Sequence, residues 1–144
     1  MTNLLIVYHS GTGNTEAMAK AVYEGVVSTG ATVSLKKAVD TTSNDLLDCD
    51  AVIFGTPNNF DYMAGAIKDF FDRTFYKVLK KVNDKPYAAF GSAGDGEKQA
   101  LDSIDKVCSY FKLRKAFDDV VANGKPSPEV LEECKELGRK LAQL

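Results

Sequence analysis

Six consecutive residues, Ser10-Gly11-Thr12-Gly13-Asn14-Thr15, have the makings of an anion site. They follow the apolar run Leu4-Leu5-Ile6-Val7-Tyr8 and open a helical pattern that begins Glu16-Ala17-Met18-Ala19. Glycine lets a backbone curl closely around an anion. The unpaired amides at a helix start point at such a group, and the helix dipole favours negative charge there. The hydroxyls of Ser10, Thr12 and Thr15 and the Asn14 amide add donors. The loop has no Lys or Arg, so a phosphate here is held by neutral donors alone. The plainer alternative is a Gly/Ser/Thr turn that only caps the helix. The position after the first strand and the density of hydroxyls weigh against it.

Two other phosphate loops fit worse. A P-loop needs a Lys at its end, and none follows. The dinucleotide fingerprint needs a small residue where this chain has Glu16. His9 is the only histidine; its place at the tip of the first strand makes it a phosphate neighbour or a solvated side chain rather than a base. No Ser/His/Asp set converges on a nucleophile elbow. A phospho-receiver domain needs acids at the end of strand one, where Tyr8-His9-Ser10 stand. No catalytic residue and no metal ligand is therefore assigned. Cys49, Cys108 and Cys134 are too widely spaced for a metal site or a redox pair. Two of them sit in helical patterns and read as small core residues, and the set points to a reducing, cytoplasmic compartment.

Strand-like and helix-like segments alternate along all 144 residues, which are read as one domain. Strands are expected at 3–8, 31–37, 51–55, 87–90 and 116–121. The first is apolar on both faces, as a strand covered by helices on both sides must be. Helices are expected at 15–28, 65–79, 98–111 and from 127 onward, with a helical turn at 43–47 capped by Ser43. Met18, Val22 and Val26 stripe the first helix, and Ser127-Pro128-Glu129 is a strong start for the last. Such alternation implies a parallel sheet with helices on both faces. No apolar run approaches the length of a membrane span, so membrane insertion is not expected. A net charge of −2 gives no strong steer toward nucleic acid or a membrane. The charge is unevenly spread: residues 38–76 hold seven acids against two bases, and 77–115 nine bases against five acids, which reads as two solvated faces of opposite tendency ahead of a dedicated docking patch.

Two further loops lie at strand ends. The second is Gly55-Thr56-Pro57-Asn58-Asn59-Phe60-Asp61-Tyr62-Met63, ahead of Lys68-Asp69-Phe70-Phe71-Asp72-Arg73; the third is Gly91-Ser92-Ala93-Gly94-Asp95-Gly96. The first loop, [ST]-x-T-G-x-T after strand one, resembles the phosphate-binding loop of flavodoxins, which wraps the monophosphate of FMN. The G-T-P-x-x-F-x-x-M…K-x-F-x-D-R-T pattern of the second resembles the flavodoxin-like quinone reductases and their short flavodoxin relatives. The resemblance spans essentially the whole chain and implies an α/β flavodoxin-like three-layer sandwich, its five-stranded parallel sheet in the order 2-1-3-4-5. It places FMN at the carboxyl ends of the strands, where the winding reverses between strands one and three.

Under that resemblance the cofactor-binding residues are Ser10, Gly11, Thr12, Gly13, Asn14 and Thr15 for the phosphate. Thr56, Pro57, Asn58, Asn59, Ser92, Ala93, Gly94 and Gly96 follow for the ring edge, with Phe60 and Tyr62 as cover for its face. A flavin is flat and polarizable with a polar edge, so it needs aromatic cover and backbone donors and acceptors. The acids Asp61, Asp95 and Glu97 would penalise added negative charge on the ring and lower its potential. The resemblance implies an electron-transfer protein shuttling electrons between redox partner proteins, a reductase and an acceptor. The alternative is an NAD(P)H-dependent quinone or flavin reductase acting on a small quinone. A member of the fold that binds no flavin is the remaining alternative.

Overall fold

A computed structural model describes residues 2–95 and 97–144. The elements run β1 Asn3–Tyr8, α1 Asn14–Val27, β2 Thr32–Lys37, a 3-10 turn Ala38–Asp40, α2 Ser43–Asp48, β3 Ala51–Pro57 and α3 Gly65–Val78. Then come β4 Pro86–Ala93, α4 Gln99–Phe111, β5 Arg114–Lys115, β6 Val120–Asn123 and α5 Pro128–Ala142. All pairings within the sheet are parallel, in the order β2-β1-β3-β4-β5, with β6 also against β4. The expected α/β architecture and strand order are therefore present.

Alternate residues of β1 explain why the sheet is covered twice. Leu4, Ile6 and Tyr8 enter one core with Met18, Val22 and Val26 of α1 and Cys134, Leu137 and Leu141 of α5. Leu5 and Val7 enter the other, with Phe54 of β3, Phe70 and Phe71 of α3 and Ile104 and Phe111 of α4. Phe54 and Phe71 pack with ring centroids 5.0 Å apart, and Phe71 meets Phe111 edge-on at 5.3 Å. Apolar burial on both faces fixes the parallel register, because a one-residue slip would turn each strand's side chains to the wrong core. The three cysteines are buried and free. Burial pushes the Cys49 thiol up to about 11 and that of Cys134 up to about 12, so neither is a nucleophile at neutral pH.

Several boundaries differ from the expectation. β3 runs on through Pro57 and β4 through Ala93, so Thr56, Gly91 and Ser92 belong to strands rather than loops. Gly91 looks like a loop residue but is small because β3 passes close by: a Cβ there would lie 2.8 Å from the Thr56 carbonyl oxygen. The short helix α2 is capped by Thr42, not Ser43. Thr42 accepts from the Asp45 amide, while the Asp45 carboxylate takes the Thr42 amide in return.

The last strand is not a single run over 116–121. β5 pairs Tyr87 with Lys115 and β6 pairs Phe90 with Val120, so three steps along β4 face five along its neighbour. The two extra residues are bulged out before Val120. The bulge lets Asp119 turn inward, where its buried carboxylate meets Lys115 at 3.0 Å and Lys98 at 3.3 Å. Burial opposes the charge on Lys115, but hydrogen bonds to Asp105 and Asp119 raise its pKa above the usual lysine value.

Candidate functional site

The carboxyl ends of β1, β3 and β4 bring the loops together into one open cleft. It is lined by Gly11, Thr12, Asn14, Pro57, Asn58, Asn59, Ser92, Ala93, Gly94 and Gly124, with a volume of about 220 Å³. No Lys, Arg or His is among these residues. Nine of the ten were expected from the sequence. The other, Gly124, stands after β6 with φ +71°, and its amide donates to the Ala93 carbonyl at 2.6 Å. The Asn123-Gly124 pair at a strand end was a turn signal that could have revealed it.

The first loop is shaped by its own serine. The Ser10 hydroxyl oxygen accepts the amides of Gly13 (3.1 Å) and Glu16 (3.2 Å), so it caps α1 from outside the helix. Gly13 itself takes φ +101°, a conformation a side chain resists. The result is a curl in which the amides of Gly11, Thr12, Asn14 and Thr15 have no protein partner among the described residues. Four unsatisfied donors at the positive end of a 14-residue helix make an anion seat. Ser10 itself lies with His9, Tyr8, Glu16 and Lys37 around an adjoining hollow.

Other expected residues act one step behind the cleft. Thr15 is buried, and its hydroxyl shares a 2.9 Å hydrogen bond with that of Ser92, which ties the first loop to the third. Thr56 is fully buried; its hydroxyl donates to the Pro57 carbonyl at 2.8 Å and accepts the Ala64 amide at 2.9 Å. Its side chain thus stitches β3 to the start of α3 and is not available at the ring edge. Asn58 donates its amide to the Ser92 carbonyl at 2.8 Å and its side-chain nitrogen to Gln99 at 3.2 Å. Its Oδ1 is buried without a partner, so the cleft wall carries an acceptor that awaits a donor. Gly96 lies outside the described residues.

Asn59-Phe60-Asp61-Tyr62 closes on itself through two backbone bonds between Asn59 and Tyr62, of 3.0 and 3.1 Å. Phe60 (φ 55°) and Asp61 (φ 61°) are both left-handed, as a two-residue hairpin of the primed type demands. Asp tolerates this; Phe does so at a cost. The Phe60 ring gains no packing in return, being 102% exposed beside the cleft. It does not pack on the following helix. Tyr62 is partly exposed at the same rim. Asp61, Asp95 and Glu97 are exposed.

A parallel sheet in this order, with a glycine-rich cleft at its switch point and an anion seat opening α1, defines a mononucleotide-binding doubly wound protein. The comparisons narrow the class. The flavodoxin family model matches residues 6–138. A flavodoxin of Aquifex aeolicus is 32% identical over 99% of this chain and 86% of its own. An NAD(P)H dehydrogenase (quinone) of Archaeoglobus fulgidus is 32% identical, covering 100% of this chain and 97% of its own. The structure of a flavodoxin from the domain Archaea superposes with a TM-score of 0.87 at 27% identity, over 99% of this chain and 97% of that one. The chain belongs to the flavodoxin family, in which FMN is the cofactor and electron transfer the role.

Proposed function

We propose that the anion seat formed by Ser10 to Thr15 holds the FMN phosphate, and that this chain passes electrons between a reductase and an acceptor protein. The four partnerless amides at the start of α1 carry the reading. The donor chemistry fits the group: neutral N–H donors and a helix dipole for the phosphate, and the orphan Asn58 Oδ1 for a polar N–H on the ring edge. Pro57, Asn59, Ala93 and Gly94 would supply backbone for that edge, and Phe60 and Tyr62 aromatic cover for its face. FMN, when bound, supplies the one- and two-electron chemistry. The protein's part is to seat it, to exclude water from one side and to leave an edge open to a partner.

One observation favours the second reading, an NAD(P)H-dependent quinone reductase. The third loop, Ser92-Ala93-Gly94-Asp95, has no aromatic side chain, so this wall would leave room beside a bound ring. The likeness to a quinone dehydrogenase over nearly the whole length of both chains supports it too. Two absorption experiments decide. The purified protein is expected to be yellow or to turn yellow on adding FMN; a colourless protein that takes up none would contradict both readings. Mixed with NADH or NADPH and a soluble quinone, the FMN-loaded protein alone is expected to oxidise the nucleotide no faster than the uncatalysed mixture. Rapid turnover would replace the carrier reading with the reductase.

A further inference from the structure

We propose that the end of the molecule opposite the cleft is a docking surface for an anionic lipid bilayer. Residues 77–85 and 106–115 hold eight of the chain's eighteen basic residues and only one of its twenty acids, Asp84. These two segments thus carry +7, and the rest of the chain −9. The fold puts them side by side. The Asp84 amide donates to the Lys112 carbonyl at 2.8 Å, and the Arg114 amide to that of Lys85 at 2.9 Å.

Three of the eight charges are used locally. Arg114 pairs with Asp84, Lys115 with Asp105 and Asp119, and Lys85 donates to the carbonyls of Leu46 and Leu47. Lys77, Lys80, Lys81, Lys106 and Lys112 are exposed and have no ion-pair partner among the described residues. Between α3 and α4 a mainly apolar groove of about 350 Å³ is walled by Phe71, Phe75, Tyr76, Val107, Tyr110 and Phe111, together with the Lys68–Asp72 ion pair, which adds no net charge. Two of its tyrosines project rather than recede, Tyr76 being 84% exposed and Tyr110 64%, and Leu79, just past the end of α3, is 40% exposed.

Projecting tyrosines and a leucine among unpaired lysines match the composition of an interfacial membrane contact. The charges are lysines, compact point charges suited to a diffuse anionic surface; the one arginine, whose planar fork reads individual phosphates or carboxylates, is engaged with Asp84. An acidic redox partner fits less well. β4 has eight residues, so this end lies ~25 Å from the cleft, far from any group that electrons must reach. Docking here instead holds the molecule on a surface with its cleft facing solution.

The test is sedimentation of the intact protein with vesicles of phosphatidylserine and phosphatidylcholine in equal parts, and with vesicles of phosphatidylcholine alone. Binding is expected to the first only, and to be lost in high salt. Each lysine near an anionic surface is worth about fivefold in affinity, so Lys77→Gln/Lys80→Gln/Lys81→Gln is expected to weaken binding about a hundredfold. Tyr76→Ser/Tyr110→Ser weakens it with the charge unchanged, and Lys20→Gln/Lys125→Gln leaves it as it was. Circular dichroism confirms that each variant is folded. No sedimentation with the anionic vesicles would overturn the proposal, as would equal binding by the triple variant. Binding to a polyglutamate chain but not to vesicles would overturn it in favour of an acidic protein. None of these outcomes depends on whether FMN occupies the cleft.

Discussion

Valine at position 13 is expected to weaken FMN binding by about a hundredfold or more. Gly13 sits at φ +101° immediately before α1, and a Cβ built there meets no protein atom within 4 Å. The substitution therefore does not clash with the fold; the open space and the backbone conformation decide its effect. A β-branched residue resists this φ, so the loop relaxes toward an ordinary conformation. That relaxation moves the amides of Gly11, Thr12, Asn14 and Thr15 off their common point. Hydrogen bonds to a charged acceptor contribute about 1.5–3 kcal/mol each, so losing two costs about 3 kcal/mol or more. Titration of FMN fluorescence reads the loss directly. An affinity within about threefold of the unaltered protein would show that the curl is not the seat.

Gly138→Val is expected to destabilise the fold by about 3 kcal/mol, with no change in the chemistry of the cleft. α1 and α5 lie backbone to backbone. A Cβ on Gly138 would fall 2.3 Å from the Val22 carbonyl oxygen and 3.1 Å from the Val26 nitrogen. Across the same contact, a Cβ on Gly25 would fall 1.9 Å from the Lys135 carbonyl oxygen. Main-chain atoms cannot move aside as a flexible side chain can, so the helices must separate and open the core formed by Met18, Val22, Cys134 and Leu137. For a chain of this size the loss corresponds to a fall in Tm of about 10 °C. Thermal unfolding followed by circular dichroism tests it; a Tm within about 2 °C of the unaltered protein would contradict the close crossing.

These two glycines show where sequence reading stops. Gly13 was legible because its neighbours Ser10, Thr12 and Asn14 are local and the helix pattern that follows is clear. Gly25 and Gly138 are 113 positions apart, and neither is marked by its own surroundings. Their role exists only once α1 and α5 are packed. The same distinction runs through the fold. The apolar runs 4–8 and 51–54 and the stripe Met18, Val22, Val26 were readable because burial leaves a pattern in adjacent residues. The extension of β3 to Pro57 and of β4 to Ala93 was not, because Thr56, Gly91 and Ser92 are strand residues only by virtue of each other. The bulge before Val120 is likewise set by Asp119 reaching Lys98 and Lys115. In the cleft, lining residues such as Gly11, Pro57 and Gly94 were expected from glycine and turn chemistry, whereas Gly124 was not. The inward stitching by Thr15 and Thr56 was missed because a hydroxyl's partner is not written in its type.

Parallel titrations with FMN and with riboflavin, which lacks only the phosphate, test the anion seat most directly. Four amides and a helix dipole converging on the phosphate predict that FMN binds at least about a hundredfold more tightly than riboflavin. Equal affinities would mean that the curl from Ser10 to Thr15 carries no phosphate, and the assignment of this cleft would fall with it.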